Sequence, residues 1–208
     1  MAMNARRLDY RMYLITDCRL DFDDVLRIAG LALENGATIL QYRHKQAATA
    51  TMYAEASELR RLTRRCSRPL IINDRIDLAL AVSADGVHLG QEDMPVPVAR
   101  ALLGANAVIG VTVHDYDQAL LAHTHGADYI AVSGSGASAY KPVPAMAVAE
   151  QERIIQGIPL PCLAIGGIDA ENAAPFLRKG YAGVALISAV FQAADPGRVC
   201  RHLHKNIS

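Results

Sequence analysis

Short apolar runs recur along the chain at near-even spacing: residues 10–16 (YRMYLIT), 37–43 (ATILQYR), 69–74 (PLIIND), 86–90 (GVHLG), 107–113 (AVIGVTV), 128–134 (DYIAVSG), 161–167 (PCLAIGG) and 183–188 (GVALIS). Each has the length and composition of a buried strand. Between them apolar residues return at helical spacing, as at Val25, Ile28, Leu31 and Ala32. Gly36, Gly126 and Gly180 each close a helical segment before the next strand, where a left-handed cap is needed. Strands alternating with about eight helices, the third and fourth short, predict a parallel sheet. Eight near-equal units of about 25 residues suit a single (β/α)8 barrel, an α/β fold of the TIM type. An open doubly wound sheet is the competing arrangement, but no G-x-G-x-x-G follows the first strand. No linker divides the chain, so residues 1–208 read as one barrel domain with residues 1–9 as an N-terminal extension.

Composition narrows the function classes. Half of the 208 residues are hydrophobic and a fifth are charged, which is ordinary for a globular protein. Basic and acidic residues balance at 21 each, so no global field recruits nucleic acid or an anionic membrane. Any anion must be held by local placement. Cys18, Cys66, Cys162 and Cys200 are scattered without the paired spacing of a zinc or redox motif. The pairs His123/His125 and His202/His204 point to divergent sides of a helix and read as surface residues. The first residues lack the apolar run of a signal peptide, and no stretch approaches a membrane span. A cytoplasmic protein acting on small molecules is expected, with a homo-oligomer compatible with the sequence.

In such a barrel the chemistry gathers where strands end and loops follow. Apolar strand beginnings and polar strand ends predict a hydrophobic floor beneath a polar rim. Gln41, Arg43 and Lys45 occupy every second position and share one face if the second strand persists that far. They read either as a solvated strand end or as a cationic wall for phosphate oxygens, with Gln41 able to read a heterocycle edge. Asn73 and Asp74 could cap the short helix after strand 3, and Asp93 the helix beginning near Pro95. Alternatively, the two aspartates leave adjacent loops of one rim and, with a substrate phosphate, make a magnesium site. Gly166-Gly167 and Ser188-Ala189 follow strands 7 and 8, a frequent phosphate position in this fold. That site and the Arg43/Lys45 wall lie far apart in the sequence, so two phosphorylated groups could bind at once.

The motifs QYRHK (41–45), INDRIDLALAVSADGVHLGQEDM (72–94), GVTVH (110–114), AIGGI (164–168) and ISAVF (187–191) occur in one order and spacing. With YLITD (13–17) they make the chain resemble the thiamine-phosphate synthase family over nearly its full length. The resemblance implies joining of a hydroxymethylpyrimidine pyrophosphate to a thiazole phosphate, by a dissociative reaction that releases pyrophosphate. It implies that Gln41 contacts the aminopyrimidine, that Arg43, Lys45 and Asn73 hold pyrophosphate, and that Asp74 and Asp93 bind Mg2+. Thr112 stands where the family usually has serine. Gly167, Ile187 and Ser188 would receive the thiazole phosphate. One tract departs from the pattern: where the family has Thr-x-Thr-Lys, this chain has Ser138-Ala139-Tyr140-Lys141. Ser138 keeps a hydroxyl and Lys141 the cation, which makes Arg43, Lys45 and Lys141 the expected catalytic cations. The tract reads as a substrate-closing loop or as a relaxed loop in a protein with another task. The competing functions are a thiazole tautomerase, which needs no pyrophosphate-binding metal, and a non-catalytic phosphate-binding barrel.

Overall fold

A computed structural model describes residues 8–134 and 145–207. Eight parallel strands close into a barrel in chain order: β1 Met12–Ile15, β2 Ile39–Tyr42, β3 Leu70–Asn73, β4 Gly86–Leu89, β5 Val108–Val113, β6 Tyr129–Ser133, β7 Cys162–Ile165 and β8 Gly183–Leu186. Closure is made by β1 against β8, with Tyr13 opposite Ala185 and Leu14 opposite Leu186. The surrounding helices are α1 Phe22–Glu34, α2 Thr49–Arg65, α3 Ile76–Ala81, α4 Val96–Leu103, α5 Tyr116–Thr124, α6 Val148–Gly157, α7 Ala173–Arg178, α8 Ser188–Phe191 and α9 Pro196–Ile207. The (β/α)8 expectation holds, and α3 and α4 are short as expected. The last helical unit is split into α8 and α9, which exceeds the expected helix count among the described residues. Gly36, Gly126 and Gly180 all have positive φ, at 120°, 85° and 98°, as their helix-closing role requires.

Side-chain alternation divides the apolar residues into two cores. Met12 and Leu14 of β1, with Leu40 of β2 and Leu70 of β3, pack outward against the helices. Tyr13, Ile15, Ile39 and Ile71 point the other way and fill the barrel with Tyr129, Ala131 and Leu163. Burial on both faces explains why the strands read as nearly continuous hydrophobic runs. Among the described residues no helix is long and apolar enough to cross a membrane.

Two sequence expectations require correction. The second strand does not persist to Arg43 and Lys45, because its last ladder pair is Tyr42 with Ile72. Beyond it the Arg43 N–H donates to the Thr16 hydroxyl at 2.8 Å, so a side chain takes the place of a strand carbonyl. The barrel floor is also less hydrophobic than expected. It buries Gln41 and His88 beside the phenols of Tyr13 and Tyr129. Phenols suit such a layer because the ring packs as a hydrophobe while the hydroxyl keeps a partner.

Candidate active site

A cavity of about 770 Å³ opens at the C-terminal ends of the strands. Its lining includes Gln41, Arg43, Lys45, Asn73, Asp74 and Asp93 on one side. Thr112, Gly167, Ile187 and Ser188 line it from the other elements. Residues expected to serve two separate phosphate groups therefore share one chamber. Ser138 and Lys141 lie outside the described residues. The backbone flanking them does belong to the rim: Gly134 lines the cavity, and the Met146 N–H donates to its carbonyl at 3.0 Å.

The cationic wall is held from behind. Thr16 secures Arg43 twice, accepting from its N–H and donating from Oγ1 to its carbonyl at 3.3 Å. Among the described residues the guanidinium itself has no hydrogen-bonding or ion-pair partner, which leaves its donor fork for a ligand. Two residues unremarked in the sequence brace the same loop. Tyr42 donates its hydroxyl hydrogen to Glu55 Oε2 at 2.6 Å, and His44 Nδ1 lies 2.9 Å from that oxygen. Glu55 is on α2, so its importance is invisible until the helix is docked.

The aspartates do not cap helices. Arg75 and Pro95 occupy the cap positions of α3 and α4, and neither helix has a side-chain cap hydrogen bond. Instead the chain turns at Asp74 in a left-handed conformation, φ 60°, with the Asp74 N–H donating to the His88 carbonyl at 2.8 Å. A non-glycine residue there costs roughly 1–2 kcal/mol, although aspartate tolerates it better than most. The loop after β4 closes on Asp93, whose Oδ2 accepts the Gly90 N–H at 2.6 Å. These two turns bring the carboxyls together. Burial, and then the Asp93 carboxyl beside it, raise Asp74 above the usual carboxylate range. Lys45, whose Nζ is 3.1 Å from Asp74 Oδ2, opposes that rise.

Thr112 is tied to the floor through His88, whose Nε2 is 2.8 Å from its hydroxyl oxygen. Gln91 donates an amide hydrogen to the Thr112 carbonyl at 2.6 Å. On the far side, Gly166 and Gly167 both have positive φ, 116° and 55°, and expose backbone to the cavity. Asn172 holds that loop by donating to the Gly167 carbonyl at 3.0 Å. Ser188 begins α8, where N–H groups lack intrahelical partners. Cys162 and Cys200 are poor nucleophiles, because burial pushes both thiols up to about 12.

Residues 12–190 match the family model described as thiamine monophosphate synthase. The chain belongs to that family. It is 45% identical to the thiamine-phosphate synthase of Chloroflexus aurantiacus, over 98% of this chain and 95% of the relative. It is 40% identical to the thiamine-phosphate synthase of Pyrococcus abyssi, over 95% and 94% of the two chains. Among solved structures, the thiamine phosphate pyrophosphorylase of Pyrococcus furiosus superposes with a TM-score of 0.85 at 39% identity, covering 98% of each chain. The 3-hexulose-6-phosphate synthase of Salmonella typhimurium matches at a TM-score of 0.70 and 14% identity, over 94% of this chain and 98% of that one, a likeness of fold alone. In this thiamine monophosphate synthase family member the rim is legible in the sequence, but the positioning of His88, Tyr13 and Tyr129 is not. The only advance signal was two tyrosines at inward positions of otherwise aliphatic strands.

Proposed function

We infer that the chain catalyses the thiamine-phosphate synthase reaction, joining a 4-amino-5-hydroxymethyl-2-methylpyrimidine pyrophosphate to a thiazole phosphate with release of pyrophosphate. The observation that carries this is the convergence of a cationic wall, an adjoining carboxylate pair and a glycine-rich rim in one chamber. It stands on a chain related to thiamine-phosphate synthases along almost its whole length. The reading takes residues 1–208 as one barrel domain, with residues 1–9 ahead of it, acting on small molecules in the cytoplasm.

In this assignment Gln41 contacts the pyrimidine, while Arg43, Lys45 and Asn73 hold its pyrophosphate. Breaking the methylene–oxygen bond moves negative charge onto the departing group. Arg43, Lys45 and Lys141 stabilise that charge, and the planar fork of Arg43 can take two oxygens together. The pyrimidine cation left behind is captured by the thiazole nitrogen, so no nucleophilic side chain is required. Gly167, Ile187 and Ser188 receive the thiazole phosphate and place that nitrogen for attack. Thr112 holds the pyrimidine side of the pocket, and Ser138 adds a hydroxyl toward the phosphates.

Asp74 and Asp93 fit Mg2+. They offer hard oxygen donors, leave the remaining coordination positions to phosphate and water, and repel one another until a cation or proton intervenes. Asp74 and Asp93 would hold the ion, which would supply positive charge against the leaving pyrophosphate. A tautomerase would leave this carboxylate pair without a purpose. The decisive experiment measures pyrophosphate release from both substrates with Mg2+, alongside titration calorimetry with each substrate alone. Binding of thiazole phosphate without pyrophosphate release would overturn the synthase reading.

A further inference from the structure

Below the cavity, five side chains from five strands make one continuous hydrogen-bonded chain. Gln41 Nε2 lies 2.8 Å from the Tyr13 hydroxyl, which lies 2.8 Å from the Tyr129 hydroxyl. Tyr129 is 3.0 Å from His88 Nδ1, and His88 Nε2 is 2.8 Å from Thr112 Oγ1. Tyr13, Tyr129 and His88 are 1%, 0% and 7% exposed, so no bulk water completes their bonding. The two ends, Gln41 and Thr112, both line the cavity. We propose that Tyr13, Tyr129 and His88 are positioning residues forming a one-way relay, which makes Thr112 a hydrogen-bond donor to the substrate and leaves the Gln41 carbonyl as an acceptor.

The direction follows from counting hydrogens. An amide nitrogen only donates, so Gln41 donates to Tyr13. Tyr13 then has one hydrogen of its own, and Tyr129 is the partner placed to accept it. Tyr129 in turn donates to His88 Nδ1, which must be bare. A neutral imidazole with a bare Nδ1 carries its hydrogen on Nε2 and donates to Thr112. The Thr112 hydrogen is left for the cavity. With the amide nitrogen facing Tyr13, reversing the bonds from Tyr13 onward would strand the Tyr13 hydrogen without an acceptor in a buried layer. Gly110 makes the relay physically possible. A Cβ there would meet Tyr129 Cζ at 2.0 Å and its hydroxyl oxygen at 2.4 Å.

The relay deepens the synthase reading and rests on it for the identity of the ligand. A pyrimidine with a 4-amino group offers a donor to the Gln41 carbonyl. Its 4-oxo counterpart offers an acceptor, and the amide can turn to meet it only by reversing the whole chain. The relay thus converts one amide orientation into selectivity between amino and oxo rings.

The test is calorimetric titration of the full chain with the 4-amino and 4-oxo pyrimidine pyrophosphates, in Mg2+ and without thiazole phosphate. Wild type should prefer the amino ligand by about tenfold or more. Tyr129→Phe, which cuts the relay but keeps the ring, should reduce that preference to about threefold or less. Tyr13→Phe cuts it at a second link and serves if the first variant does not fold. Equal weakening of both ligands with an unchanged ratio would assign the tyrosines a merely structural role and overturn the relay. Nitrogen-15 NMR gives an independent reading: His88 should be neutral and protonated at Nε2, and should lose that bias in Tyr129→Phe. A charged His88, or one protonated at Nδ1, would overturn the relay even with ligand selectivity intact. If wild type binds neither pyrimidine, the synthase reading fails, while the NMR result still decides the relay.

Discussion

The cationic wall and the barrel floor lie within one chamber yet solve opposite problems. At the wall, Lys45 and Asp74 remain ion-paired where solvent still reaches, and the carboxyl of Asp93 is pressed toward Asp74. On the floor, burial lowers the His88 pKa and every link is a side-chain hydrogen bond. Charges at a rim can wait for a ligand or cation to complete them. Buried groups have no such supply, so each must be satisfied in the empty protein. The wall therefore awaits a ligand, whereas the floor is joined internally by folding and leaves only its two ends, Gln41 and Thr112, open to the cavity.

Asp93→Asn tests the wall most severely. It removes the charge proposed to hold Mg2+ and should lower Mg2+-dependent pyrophosphate release by roughly a hundredfold or more. The same change relieves repulsion, so melting without Mg2+ should occur at the wild-type temperature or slightly above. A destabilised but active variant would make Asp93 structural and erase the contrast between the two regions.

Gly110→Ala strikes the floor instead. The added methyl has no room beside Tyr129, so destabilisation of about 1–3 kcal/mol should be seen in chemical denaturation. A stability equal to wild type would show that the Tyr129 ring can shift without cost, and that the floor is not closely specified.

Arg43→Lys keeps the charge of the wall but loses its planar fork. Pyrophosphate release should fall by roughly tenfold, with little change in calorimetric binding of thiazole phosphate. Equal weakening of both ligands would mean that the phosphate groups do not occupy separate parts of the chamber.

The smallest effect is on stability against pH without Mg2+. Asp74 has a raised pKa in the folded protein, so the native state holds its proton more tightly than the unfolded chain. Stability should consequently fall as pH rises from the ordinary carboxylate value of 3.8 through the raised value, and level off above it. Asp93→Asn should flatten that decline, because the neighbouring negative charge is gone. Denaturation midpoints across the acidic range measure both slopes; an unchanged slope would place the cause in burial of Asp74 alone.

The amino-acid order by itself determined the alternation of strands and helices, the closing glycines Gly36, Gly126 and Gly180, and the polar identity of the strand ends. These are local properties, readable because side-chain periodicity and backbone conformation depend on near neighbours. Which alternative the rim residues followed was not local. Asn73, Asp74 and Asp93 were equally plausible as helix caps until the turns at Asp74 and Gly90 directed the carboxyls toward each other. Arg43 and Lys45 matched a strand pattern, but a hydroxyl from β1's following loop ended that strand early. The floor was the least legible region: Tyr13 and Tyr129 are 116 positions apart, and neither strand predicts the other. Only closure of the barrel, with a missing side chain at Gly110, brings their hydroxyls together and sets the His88 ring between Tyr129 and Thr112.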